Sequence, residues 1–284
     1  LEYEKNKIRQ SLYRPFYRKY QYHDRVFTHR LYQQEFIFPI GKKDNNEIIC
    51  FSGISSSKTF NVLGSNSLVD LHFNGDSNCL PLYSFNEEGN RIENITDWGL
   101  EQFRSYYKNK KISKENIFNY VYAVLHNPKY RKKYEQNLKR EFPRIPFYED
   151  FNWWAIRGEA LMYLHLNYET VTTFRLKRVE KKEKKENPKC LLKADKDGGV
   201  IYIDENTLLE NIPQEAWQYK LGNRSALEWV LDQYKEKKIK DPTIRAKFNT
   251  YKFADYKEEV IELLKKVCKV SIETMKIIEE MEKK

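Results

Sequence analysis

The feature that most constrains this chain is a change of hydrophobic period near residue 97. Before it, short branched and aromatic runs ("RVFTHRLY", "EFIFPI", "EIICFSGI", "TFNVLG", "SLVDLHF", "LPLYSF") are separated by turn-forming clusters such as "GKKDNNE", "GISSSK" and "NGDSN". Turns recur roughly every ten residues, so residues 13–85 are expected to form antiparallel hairpins rather than strand–helix–strand units. After it, apolar residues repeat at helical spacing. "SKENIFNYVYAVLH" puts Ile117, Tyr120, Val121, Val124 and Leu125 on one face behind Ser113 as N-cap. "NPKYRKKYEQNLKREF" restarts with Asn127 as cap and Pro128 in the first turn, aligning Tyr130, Tyr134 and Leu138, and "FPRIPF" stops it. "FNWWAIRGEALMYLHL" is expected as the next helix, capped by Asn152.

Farther on, "GGVIYID" and "WQYKL" read as strands and "SALEWVLDQYKEKK" as a helix, and Val260, Leu264, Val267 and Ile278 mark a long amphipathic helix. The expected class is α+β: a β-rich antiparallel N-terminal half, a helical middle, and a small α+β C-terminal part ending in a long helix. Residues 1–12 read as the tail of a preceding helix or a linker. Residues 13–253 read as one domain, β-rich over 13–96, helical over 97–176, a charged loop over 177–189 and a small α+β part over 190–253. Residues 254–284 form the terminal helix. The start at Leu1, in mid-pattern, is expected of a fragment of a longer polypeptide.

Charge is concentrated locally. Of a net +10, residues 13–30 supply +4 through Arg14, Arg18, Lys19, Arg25 and Arg30 against Asp24. Residues 177–189 supply another +4, from seven Lys/Arg against three Glu. The first stretch also holds six Phe/Tyr, so rings and cations alternate. Cys50, Cys79, Cys190 and Cys268 are far apart with no Cys-x-x-Cys pair, which suits a reducing cytosol, and no signal peptide or long apolar run marks a membrane protein. A cytoplasmic location is expected.

The sequence carries no recognisable catalytic motif. "GISSSKT" lacks the second Gly and the Gly-Lys-Ser/Thr ending of a phosphate loop. There is no dinucleotide fingerprint, nucleophile elbow, His-Glu-x-x-His or Asn/Asp-Pro-Pro-Tyr/Phe motif. Asp70 and His72 alternate on an expected strand and read as a buried hydrogen-bonded pair, and His126 as a capped or core histidine. Asp150, Glu159, Asp204 and Glu205 suggest no carboxylate pair. The chain is not expected to be an enzyme.

What remains is polyanion chemistry: cations neutralise phosphates, and a guanidinium forks onto phosphate or onto guanine O6/N7. Candidate contacts are Arg14, Arg18, Lys19, Arg25 and Arg30, then Ser55, Ser56 and Lys58 in a polar loop, and Lys181 and Lys182 in the flexible basic stretch. On a single strand Arg14 and Arg18 would share one face and Lys19 and Arg25 the other, unless "QYHD" turns the chain. The same residues also suit a tyrosine-rich docking module of a larger assembly, or a single-strand binder that stacks bases on tyrosine.

Four blocks carry a family resemblance: "YRPFYRKYQYHDR" (13–25), "NSLVDLHF" (66–73), "NYVYAVLHNPKYRKKYEQNLKREFPRIPF" (119–147) and "IPQEAWQYKLGNRSALEWVLDQ" (212–233). In this order they resemble the C-terminal specificity (target recognition) domain of type ISP restriction–modification enzymes. "YRPF" also resembles the junction between methyltransferase and specificity domains in many adenine methyltransferases, where Asp commonly follows; here Tyr17 stands. The resemblance implies a phage-defence module that reads a short asymmetric duplex sequence. It implies an adjoining N6-adenine methyltransferase domain as partner, and methylation and ATP-dependent cleavage carried out by other domains. S-adenosylmethionine, ATP and Mg would belong to those domains, with no cofactor, small-molecule ligand or membrane contact in this chain.

Overall fold

The computed structural model describes residues 2–29, 31–41, 46–54, 56, 58–237, 239–248 and 251–284. The chain divides into two compact units. The first comprises residues 1–167, 221–223 and 276–284, and the second 168–220 and 224–275.

The first unit opens with strands β1 (Ile8–Arg14) and β2 (Tyr17–Tyr22), then a short helix α1 (Gln34–Ile37). Strands β3 (Ile48–Phe51), β4 (Val62–Ser65), β5 (Leu68–Val69), β6 (Asn78–Pro81), β7 (Tyr83–Phe85) and β8 (Arg91–Glu93) follow. They form three small sheets, ordered β2-β1-β5, β4-β3-β6 and β7-β8. All pairings are antiparallel except β1 with β5, which is parallel. Helices α2 (Asp97–Tyr107), α3 (Lys114–His126), α4 (Pro128–Lys133), α5 (Glu135–Leu138) and α6 (Phe151–Leu166) complete it.

Helix α3 begins where its sequence says. Ser113 accepts from Asn116 N while the Asn116 side chain reaches back, a reciprocal cap. Asn127 caps α4 and Pro128 opens it. Between α3 and α6 the backbones touch: a Cβ on Gly158 would lie 1.7 Å from Asn119 O. Only glycine fits there, and the contact brings Tyr120, Leu125, Trp154, Leu161 and Met162 into one core.

The second unit holds a four-stranded antiparallel sheet, ordered β10-β11-β12-β9, from β9 (Lys177–Glu180), β10 (Cys190–Asp195), β11 (Val200–Asp204) and β12 (Thr207–Glu210). Helices α7 (Gln214–Gln218), α8 (Ala226–Tyr234), α9 (Pro242–Phe248) and α10 (Lys257–Lys283) follow, the last ending within the residues of the first unit. Ile201, Ile203, Leu209, Val230, Val260, Leu264 and Val267 are fully buried. The α+β class stands.

Several local expectations are corrected. Residues 2–12 are not a helix tail but a single 3-10 turn (Lys5–Lys7) leading into β1, and Leu1 lies outside the described residues. The described residues of "RVFTHRLY" form no strand, because Asp24 takes over the backbone at its start: Val26 N donates to Asp24 Oδ1, and Phe27 N and Thr28 N to Asp24 O. "EFIFPI" contributes to helix α1 instead of a strand. The helix expected to align Tyr130, Tyr134 and Leu138 breaks at Tyr134 into α4 and α5. Helix α6 is capped by Asp150, in a left-handed conformation, not by Asn152. "WQYKL" is a strand only at Lys220–Leu221, which pairs with Arg224–Ser225, while Trp217 and Gln218 end α7. The charged segment 177–189 is not all loop, since its first four residues form β9 in register with β12.

Candidate nucleic-acid interface

Hairpin β1–β2 turns at Pro15–Phe16, not at "QYHD". Phe16 adopts φ +57 and is buried, so its ring anchors a turn whose backbone costs about 1 kcal/mol for a residue with a Cβ. The turn moves Arg14 and Arg18 onto different strands. Arg14 lies opposite Tyr17 and Arg18 opposite Leu12, with an irregularity between Leu12 and Arg14. A shared face on one strand is therefore corrected.

Each described cation of this stretch has a defined partner. Arg14 Nη1 lies 2.6 Å from Asp70 Oδ1, and its guanidinium sits 4.0 Å from the centre of the Tyr13 ring. Arg18 Nη1 donates to Gln10 Oε1 at 3.3 Å. Lys19 Nζ lies 5.0 Å above the Tyr17 ring. Arg25 forks onto Glu35 through Nε and Nη2, and that hydrogen bond holds the Glu35 carboxyl below its usual range. Tyr20 and Phe27 are exposed. Arg30 lies outside the described residues.

Asp70 belongs to a second element. Strand β5 ends at Val69, so Asp70 and His72 do not alternate on a strand. Asp70 Oδ1 instead accepts from His72 N, and exposed His72 pairs with Asp76 at 2.8 Å. The expected buried Asp70–His72 side-chain pair is thus replaced by Arg14–Asp70 and His72–Asp76.

The loops β3–β4 and β5–β6 are bolted together by buried amides. Asn74 Nδ2 donates to Cys50 O, and Asn61 Nδ2 donates to Asn74 O, both at 3.0 Å. Gly53 N donates to Gly75 O at 3.0 Å. A Cβ on Gly53 would meet Asp76 O at 2.1 Å, so the loops approach closer than any side chain allows. Ser56 and Lys58 sit on this framework: Lys58 N donates to Ser56 Oγ, and both flank Gly75, which has φ +101. Ser55 lies outside the described residues. Residue by residue, Arg14, Ser56 and Lys58 are thereby joined through the Asp70–Asp76 loop, while Arg25 pairs separately with Glu35. The sequence did not single out Asn61 and Asn74; their position in "FNV" and "NGDSN", at the roots of turns, was the available signal.

Where β4 meets α3 and α6, a few polar groups are buried together. Tyr122 Oη lies 2.5 Å from His165 Nδ1 and accepts from Gly64 N. His126 Nδ1 donates to Tyr122 O, as expected of a core histidine. Burial pushes the His165 imidazole down to about 3 and His126 well below its ordinary value, so both are neutral.

In the second unit, Lys181 N donates to Asn206 O as β9 ends, and the Asn206 side chain holds the backbone of Lys185 at both N and O. The side chains of Lys181 and Lys182 are exposed and make no ion pair among the described residues.

No group of three His, Cys, Asp or Glu side chains among the described residues could hold a metal ion. No helix among them is long and apolar enough to cross a membrane. Residues 1–263 match the Type ISP C-terminal specificity domain. The chain belongs to that family. A Type ISP specificity domain is a module of specificity rather than of catalysis. No curated protein sequence matches the chain. Three solved structures each align with 99% of it. A cryo-electron microscopy structure of a DrdV–DNA complex is 46% identical with a TM-score of 0.94, the domain covering 29% of that chain. A nuclease-deletion mutant of the Type ISP restriction–modification enzyme LlaGI, in complex with a DNA substrate mimic, is 30% identical with a TM-score of 0.79 and is covered over 25%. The ATP-dependent Type ISP enzyme LlaBIII, bound to DNA, is 28% identical with a TM-score of 0.80 and is covered over 19%. The Type ISP domain thus spans less than a third of each of these chains.

Proposed function

We propose that this specificity domain reads a short asymmetric site in duplex DNA and performs no catalysis itself. Its partners are duplex DNA and an adjoining adenine methyltransferase domain. It holds the site for N6-adenine methylation and ATP-dependent cleavage by other domains, which would use S-adenosylmethionine, ATP and Mg. The observation that carries this reading is the 46% identity, over nearly the whole chain, to part of a protein solved in complex with DNA.

The geometry supplies a physical route. An arginine already oriented by a carboxylate loses less side-chain freedom when it forks onto guanine O6/N7. Arg14, oriented by Asp70, has that arrangement. Loops pinned by buried amides enter a groove without an ordering cost, and Ser56 and Lys58 ride on them. Lys181 and Lys182 suit sequence-independent phosphate contact. Arg18, Lys19 and Arg25 are assigned to the backbone on the same grounds of charge.

The test is a selection from random duplex DNA at near-physiological salt, on this chain and on one extended into the preceding domain. A short asymmetric motif containing adenine is expected from at least one of them. Salt-labile binding without enrichment from both would leave a docking module.

A further inference from the structure

Cys50 and Cys79 face each other across β3 and β6, with Sγ atoms 3.5 Å apart. The ladder fixes which kind of cross-strand pair they are. Leu82 N donates to Glu47 O at 2.8 Å, one step beyond the Ile48–Pro81 pair. Hydrogen-bonded and non-hydrogen-bonded pairs alternate along an antiparallel ladder, so Ile49–Leu80 is hydrogen-bonded and Cys50–Cys79 is not. Pro81, which has no N–H, falls on a non-hydrogen-bonded pair, in agreement. The other neighbour agrees too: Ser52 N donates to Asn61 O across β3–β4, so Cys50 spends its ladder bonds on β4. Non-hydrogen-bonded partners have Cα atoms about 4.5 Å apart, within the roughly 4.4–6.8 Å that a disulfide spans.

The two thiols differ in access. Cys50 is fully buried, and burial holds its thiol well above the usual range, whereas Cys79 is partly exposed. They also sit at one location of consequence. Cys50 is two residues before Ser52, where the β3–β4 loop leaves the sheet, and Cys79 adjoins Asn78, where the β5–β6 loop returns. The Cys50 carbonyl is the acceptor for Asn74, the amide that ties the loops together.

We propose that Cys50 and Cys79 form a peroxide-oxidisable dithiol that closes a disulfide across the roots of the two loops. Cys79 gives up its proton and reacts first as thiolate: its sulfur attacks one peroxide oxygen, the O–O bond breaks, and the hydroxide released takes up that proton, leaving Cys79 sulfenic acid and water. The Cys50 sulfur then attacks the Cys79 sulfur. The S–S bond forms, the S–O bond breaks, and the hydroxyl leaves as water with the Cys50 proton. Two thiols and one hydrogen peroxide thus give one disulfide and two waters. Cys190 and Cys268 belong to the other unit and serve as internal comparators.

The test treats the intact polypeptide under native conditions with hydrogen peroxide, then alkylates and digests it without reduction for peptide mass mapping. The expected result is a Cys50–Cys79 cross-linked peptide, lighter by two hydrogens than the two thiol peptides and lost on adding dithiothreitol. Amide exchange around Asn61 and Asn74 should slow in the oxidised form. Cys79→Ser should abolish the cross-link and leave Cys50 alkylatable after unfolding. The proposal is overturned if both thiols are recovered alkylated at a dose that oxidises a free thiol peptide. It is equally overturned if Cys79 proceeds to sulfinic acid while Cys50 stays reduced.

Discussion

Residues 13–30 and 177–189 carry the same formal charge, +4, the first from five Lys/Arg in eighteen residues and the second from seven in thirteen. In the first, guanidiniums are fixed: Arg14 on Asp70, Arg25 on Glu35, Arg18 on Gln10. In the second, Lys177 pairs with Glu210, Arg178 with Glu180 and Glu258, Lys184 with Glu180 and Lys185 with Glu205, while the exposed Lys181 and Lys182 side chains pair with no carboxylate among the described residues. The cations thus come in two mechanical forms, the paired ones of both stretches and the pair Lys181 and Lys182. A fixed guanidinium discriminates bases because its fork has a direction, whereas a mobile ammonium gains from counterion release at any phosphate. Net charge cannot separate these roles; the partners of each cation can.

The largest expected effect probes the buried histidines of the unit that holds the fixed set. All five histidines lie in the first unit, and the second has none. His126 and His165 are neutral when folded, but have an ordinary value near 6.5 when unfolded. Below that value the unfolded chain takes up the protons. Stability is therefore complete above about pH 6.5 and falls on acidification, by about 1.4 kcal/mol per pH unit for each histidine. For His165 the loss continues down to about 3. Pulsed hydrogen exchange in urea at pH 7 and pH 5 should find the first unit weakened by a few kcal/mol and the second nearly unchanged. An equal loss in both units would break the comparison.

Next in size is Arg14→Ala. Removing a base-directed fork should weaken binding to the selected duplex by about 1–3 kcal/mol, while a scrambled duplex loses much less. Asp70→Asn sharpens the point. It keeps a hydrogen-bond acceptor beside Arg14 but removes the charge, so a smaller loss of about 0.5–1.5 kcal/mol is expected, with relaxed discrimination at one position. Competition binding with single-base variants reads both. Equal losses on selected and scrambled duplexes would assign Arg14 to phosphate.

Much of the framework was legible because its signals are local. Ser113, Asn127 and Pro128 mark helix starts through side chains that satisfy the adjacent backbone, and Val260, Leu264 and Val267 mark a buried face by spacing alone. Where a local polar bond competed with strand propensity, the pattern misled: Asp24 turned "RVFTHRLY" into a loop. The site was less legible than the frame. Arg14 stood out by composition, but its partner Asp70 is 56 residues away, joined by a parallel β1–β5 pairing that no hairpin rule supplies. Asn61 and Asn74 look like any turn residues until the loops they bolt together are seen.

The smallest effect is expected from Lys181→Ala with Lys182→Ala. Neither side chain pairs with a carboxylate among the described residues, so little folding stability should change. Their contribution, if each meets one phosphate, is a salt slope of about 0.9 per lysine in the dependence of log affinity on log salt. The double variant should therefore flatten that slope by nearly two and weaken binding at low salt most. It should do so equally for selected and scrambled duplexes, since a phosphate carries no sequence. That equality is what separates these lysines from Arg14. A loss confined to the selected duplex would mean that the basic segment docks in a defined pose, and the contrast between fixed and mobile charge would then rest on the second unit's own geometry instead.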